Sequence, residues 1–167
     1  MLLAISDNKI FMRGFTLVEL VIVIAIAIIL AVISAPIYGS LQMRAQLGES
    51  TAQLVQTLRN TRELAVAGQN SAAHGVYLDF NDQDFDSYIA YQGSSYITRN
   101  ANFDQVFKLE KTLSFANINL KMAAGDVDVN FSKGLGQPSN SGSFQLIHNS
   151  QGIKTISIGS KGLVEEK

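Results

Sequence analysis

The chain has 167 residues, no cysteine and a formal net charge of −1, which leaves room for a single water-facing domain beside a membrane anchor. Lack of cysteine excludes thiol catalysis and cysteine-type zinc sites, so a domain outside the membrane must hold by packing alone or with a bound ion. No global basic excess announces a nucleic-acid partner.

The first 14 residues form a short leader carrying Asp7, Lys9 and Arg13. From residue 15 to residue 35 the only polar side chains are Thr16, Glu19 and Ser34, and about 20 apolar residues at ~1.5 Å rise cross a bilayer. A transmembrane helix is therefore expected over 15–36. An ionised Glu19 inside it is costly unless paired. It is either a flaw tolerated near the interface or one half of a pair, and the junction before it favours the pair. Ordinary secretory signals are cut beyond the apolar run at small residues. Here the far side offers Ser34-Ala35-Pro36, a poor site because proline follows directly.

The run Gly14-Phe15-Thr16-Leu17-Val18-Glu19-Leu20 resembles the processing site of type IV prepilins and pseudopilins. The resemblance implies that a membrane prepilin peptidase cuts between Gly14 and Phe15 and methylates the new amine of Phe15. It makes Glu19 the fifth residue of the mature subunit, the carboxylate that faces a neighbour's N-terminal ammonium. Loss of Asp7, Lys9 and Arg13 would take the side-chain charge to −2. Pro36 falls where the family often kinks or locally melts its helix, and its missing N–H and ring clash give the physical reason. Two departures stand out. Phe11-Met12 precede Arg13 where a more basic leader is common, and the disulfide-closed C-terminal loop of many major pilins has no cysteines here.

Residues 37–68 carry the amphipathic half of the helix. Leu47, Thr51, Leu54, Leu58 and Ala65 fall within a narrow arc at ~100° per residue and should pack on the domain. Arg44, Glu49, Arg59, Arg62 and Glu63 lie mostly off that arc, as a solvated face or a surface for adjacent subunits. Arg59 and Glu63 stand at i, i+4, worth a few tenths of a kcal/mol. Gly68 is the expected helix stop. Unbroken from Phe15, such a helix would be about 80 Å long.

Residues 69–167 should form a β-rich domain. Strands are expected at 74–80, where Val76, Leu78 and Phe80 alternate, and in short pieces at 87–92 and 96–99. Further strands are expected at 106–110, 113–121, 126–131, 143–148 and 153–158, the last two joined by the hairpin connection Asn149-Ser150-Gln151-Gly152. Short turns favour antiparallel pairing with one face on the helix. The fold class is α+β, a long N-terminal helix on an antiparallel β-sheet domain.

The C-terminal third, Phe131-Ser132-Lys133-Gly134-Leu135-Gly136-Gln137-Pro138 followed by two strands and Gly159-Ser160-Lys161-Gly162-Leu163-Val164, is similar to the end of the GspH/FimT branch of this family. The alternative is simply two hairpins with glycine turns. Some members of that branch bind DNA through an Arg-rich C-terminal segment. Here the region has Lys154, Lys161 and Lys167 beside Glu165 and Glu166, and no arginine after Arg99. Phosphate contacts want clustered Lys or Arg, so direct DNA binding is disfavoured.

Asp79, Asn81, Asp82, Asp84 and Asp86 crowd one turn and could hold calcium. Against an EF-hand, Ser87 stands where Gly is needed and Gly93 where the bidentate Glu belongs, so a solvated turn is preferred. His74 and His148 lack neighbouring ligands in the sequence. Tyr77, Tyr88, Tyr91 and Tyr96 are read as core or cross-strand pairs, with an exposed adhesive patch as the alternative.

No cofactor, metal or convergent nucleophile–base set is visible, and the expected protein is structural rather than enzymatic. The resemblance implies a filament subunit that begins as a single-pass inner-membrane precursor in lipid. An assembly platform then extracts it into a helical homo- or hetero-polymer with other pilin subunits, at the cell surface or across the envelope. The alternative is a membrane-anchored β-rich binding module, including a DNA-uptake minor pilin, that does not form the filament body.

Overall fold

In a computed structural model of the chain, the described residues are 14–80, 85–122, 125–150 and 152–167, the side chains of 33–37 excepted. They fall into two compact units, Met1–Gly39 and Ser40–Lys167. Helix α1 spans Leu17–Ala67.

The second unit is an α+β domain: the C-terminal part of α1 packs on antiparallel strands, eight among the described residues. Leu47, Thr51, Leu54, Leu58 and Ala65 are all buried, as their spacing predicts, and Val55 and Thr61 join them. Thr51 satisfies its buried hydroxyl by donating to the Leu47 carbonyl at 2.7 Å. Gly68 ends the helix at φ 62° and ψ 33°, a left-handed conformation that costs glycine little. Its N–H donates to the Ala65 carbonyl at 3.0 Å, and so does that of Gly134 at 2.9 Å. One of the orphan carbonyls of the helix end is thereby tied to the β domain.

The strands are β1 (His74–Asp79), β2 (Ser87–Gln92), β3 (Gln105–Lys108), β4 (Leu113–Asn119), β5 (Val127–Phe131), β6 (Gly142–His148), β7 (Ile153–Ile158) and β8 (Val164–Glu166). They make two four-stranded sheets, ordered β3-β2-β1-β5 and β4-β6-β7-β8. In the first, Val76 stands between Ala90 and Val129, and Leu78 between Tyr88 and Val127, so these side chains share one face. In the second, Phe144, Leu146, Ile156 and Ile158 point inward. The two faces and the helical stripe close one core, where the Phe115 ring meets Phe80 edge-on at 5.4 Å and Phe144 at 5.8 Å. Full burial of each large aliphatic side chain is worth about 1.5–3 kcal/mol.

The strand expected at 96–99 is absent. Hydroxyls compete with a ladder there: Thr98 Oγ1 lies 3.1 Å from Ser94 Oγ and 2.8 Å from Ser95 Oγ, and Thr98 N–H donates to Ser95 Oγ. Such local bonds favour turns over strands. The segment instead folds over the outer face of the first sheet, placing the Tyr96 ring 3.7 Å from Tyr77 in a parallel stack. Strand β8 was not expected; Val164 pairs with Ile158 at the edge of the second sheet.

Candidate processing and assembly site

Gly14, Phe15 and Thr16 precede the helix in non-helical backbone and are exposed. Thr16 is the cap of α1: its Oγ1 accepts from the Glu19 N–H at 3.2 Å, and its carbonyl accepts from Leu20 N–H at 3.2 Å. Thr16-Leu17-Val18-Glu19 is thus half of a capping box, with a Thr oxygen on the third helical N–H. The sequence carries this signal in its T-x-x-E spacing. Glu19 lies in the first turn, where its carboxylate also complements the positive end of the helix.

Around Glu19 the helix is apolar on every side. Phe15 is 82 % exposed, Leu17 79 %, and the Leu, Ile and Val residues from Val18 to Val32 are exposed throughout. Water does not tolerate so continuous an apolar cylinder, and such a surface marks an interaction with lipid or protein. Among the described residues no helix is long and apolar enough to cross a membrane. The continuous run of apolar side chains described in α1 before the second unit ends at Val32, with Tyr38 exposed beyond the gap. Residues 33–37, which the sequence reading needs to complete a span, lie outside the described side chains. The backbone stays helical through Pro36, where a kink or local melting was expected, and residues 1–13 of the leader lie outside the described residues.

The other sequence candidates separate into structural roles. His74 is buried in β1, its Nε2 3.3 Å from the Gln69 carbonyl. His148 is buried in β6, and its Nδ1 accepts from Ser150 N–H at 3.1 Å. Of the acidic turn, Asn81, Asp82 and Asp84 lie outside the described residues. Asp86 accepts from Phe115 N–H at 2.6 Å. Burial raises its carboxyl above the usual range, against the pull of that N–H, and the Asp79 charge adds to the rise. Among the described residues no group of three or more His, Asp or Glu is arranged to hold a metal ion.

The tyrosines are packing elements. Tyr91 donates to Asp128 and Tyr77 to Asp126, each at 2.5 Å. Burial first, and then these carboxylates, raise both phenols well above the ordinary value. Burial pushes Tyr88 up to about 12, with the Thr57 hydroxyl working the other way. Arg99 stacks over the Tyr96 ring at 3.7 Å and pairs with Asp104 at 2.8 Å.

Arg59 and Arg62 prove to be clamps on the C-terminal segment, a role their sequence context did not reveal. Arg59 donates twice to the Val164 carbonyl, at 3.2 and 2.8 Å, instead of pairing with Glu63. Arg62 donates to the carbonyls of Gly136 and Lys161 at 3.2 and 3.3 Å. Lys154, one of the C-terminal lysines, is held by Glu166 at 2.8 Å.

The second unit, a helix on an antiparallel β domain, makes this an α+β protein, and the first unit carries an exposed apolar helical segment with one acidic residue in its first turn. A family model described as the prokaryotic N-terminal methylation motif matches residues 12–35. That motif supports a type IV pilin-like protein, processed by a prepilin peptidase and assembled with other pilin subunits. No curated protein and no solved structure matches the chain.

Proposed function

We propose that the chain is a structural, non-enzymatic subunit of a type IV pilus or related pseudopilus, of the GspH/FimT branch. In this reading the prepilin peptidase cuts between Gly14 and Phe15, and the Phe15 amine is methylated. The exposed cut site, with glycine on one side and a capped helix start two residues beyond, suits a peptidase that needs extended backbone. The apolar helix rests in the inner membrane until extraction, then packs among copies of itself, bending or melting at Pro36 as the subunit seats. Glu19 pairs with the Phe15 ammonium of a neighbour, which offsets the cost of a carboxylate in an apolar bundle.

The observation that carries the reading is the apolar cylinder of residues 15–32 bearing one carboxylate, Glu19. A passive anchor has no need of that charge. Direct DNA binding is disfavoured, since Lys154 is engaged by Glu166. Shearing filaments from cells and probing them for this chain tests the proposal. Its presence in the sheared fraction is expected, and retention of the whole pool in the membrane would favour an anchored module instead.

A further inference from the structure

A cleft of about 390 Å³ opens on one flank of α1, between the helix and strands β2 and β3. Its size is that of small-ligand clefts, about 300–1,000 Å³. The walls are rich in carboxamides: Gln56 and Asn60 from the helix, Gln69 and Asn70 from the turn after it, Gln92 and Gln105 from the strands. No Asp, Glu, Lys or Arg lines it among the described residues. Asn70 Nδ2 donates to Gln92 Oε1 at 2.9 Å. Within the described protein, the side-chain amides of Gln56, Asn60, Gln69 and Gln105 have no partner.

Aromatic rings supply the rest. Phe103 stands at the rim, half exposed, while Phe107 is stacked on Tyr88 at 4.9 Å and held rigid. The turn at the mouth is strained: Asn70 and Ser71 both have positive φ, 53° and 57°. Non-glycine residues in that region cost free energy and cluster where a site is pre-organised.

We infer that this cleft binds a neutral saccharide. A carboxamide offers two N–H donors and one carbonyl acceptor, which matches adjacent sugar hydroxyls that each accept and donate. The half-exposed Phe103 ring offers apolar surface for the C–H face of a pyranose. An ionic ligand would surrender its hydration and meet no carboxylate, ammonium or guanidinium among the described lining residues. This binding goes beyond the filament role and does not depend on it, because the cleft lies wholly within the second unit.

The full chain, held in a zwitterionic detergent without a sugar headgroup, is titrated with cellobiose, lactose and N,N′-diacetylchitobiose by saturation-transfer NMR. At least one should bind with a dissociation constant of about 1 mM or tighter. Asn60→Ala and Phe103→Ala, both at exposed positions, should each weaken it by about tenfold with an unchanged circular dichroism spectrum. No binding by any of the three up to about 10 mM would overturn the inference. So would binding indifferent to both substitutions, or equal competition by trialanine, which would mark a site for peptide main chain. Filament assembly is not part of the readout, so failure here leaves the subunit reading untouched.

Discussion

Replacing Gly75 by alanine tests the packing of the first sheet at one atom. Gly75 faces Tyr91 across the β1–β2 pair, and a Cβ there would lie 2.7 Å from Tyr91 Cε1, with Cζ and the hydroxyl nearer still. The ring cannot step aside freely: it is 2 % exposed, and its hydroxyl donates to Asp128 at 2.5 Å and accepts from Asn130 Nδ2 at 3.1 Å. Overpacking alone costs about 1–3 kcal/mol, and a hydrogen bond to a charged group is worth about 1.5–3 kcal/mol. A displaced ring keeps part of its contacts, so the expected loss is about 2–4 kcal/mol, a large share of an ordinary domain's stability. Gly48→Ala is the control. It lies inside α1 with nothing within 4 Å of the new Cβ, and helix propensity predicts a gain of about 0.8–1 kcal/mol. Chemical unfolding of the full chain in detergent, followed by near-ultraviolet circular dichroism, reads both. Adding Tyr91→Leu should restore part of the Gly75→Ala loss, because a smaller flexible side chain makes room. A loss under about 1 kcal/mol for Gly75→Ala would refute the reasoning that overpacking cannot be relaxed.

Glu19→Ala should be made and inserted normally but enter sheared filaments poorly, as immunoblots of membrane and filament fractions will show; undiminished incorporation would count against the pairing. Arg62→Ala removes two donors from the Gly136 and Lys161 carbonyls and should cost about 1–2 kcal/mol, with faster amide exchange over residues 159–164. Alkaline pH should unfold the domain by linkage. Tyr88 holds its proton up to about 12 when folded, while an unfolded tyrosine releases it near pH ~10. Its contribution is therefore complete below that value and lost as pH rises toward about 12, with Tyr77 and Tyr91 adding in the same direction. Ionisation of Tyr77, Tyr88 and Tyr91 should appear late and together with unfolding; early, gradual ionisation of these three would contradict it.

The amphipathic half of α1 was legible because its stripe repeats with the helix, and every residue assigned to it is buried. Gly68 was legible because few residues other than glycine stop a helix so cheaply. Most strands followed from alternation, yet alternation says nothing of sheet membership. That β5 joins β1, and that the strands divide between two sheets, depends on long-range pairing. Residues 96–99 misled because Tyr96 and Ile97 have strand propensity, whereas the serine and threonine hydroxyls around them decide the local structure. Arg59 and Arg62 were read as surface charges, for nothing in their neighbourhood announces the distant carbonyls of Gly136, Lys161 and Val164. The saccharide cleft was invisible for the same reason. Its amides are scattered from Gln56 to Gln105 and converge only in the fold. At the N-terminus the pattern is local, and the methylation motif over residues 12–35 falls on the run that the sequence singles out.

Cutting and methylation of this chain as a pilin-like precursor can be read by intact mass spectrometry of the protein recovered from membranes and from sheared filaments. The mature form should begin at Phe15 and carry one added methyl on its amine. Assembled protein that still bears residues 1–14, or that begins beyond the apolar helix, would contradict it.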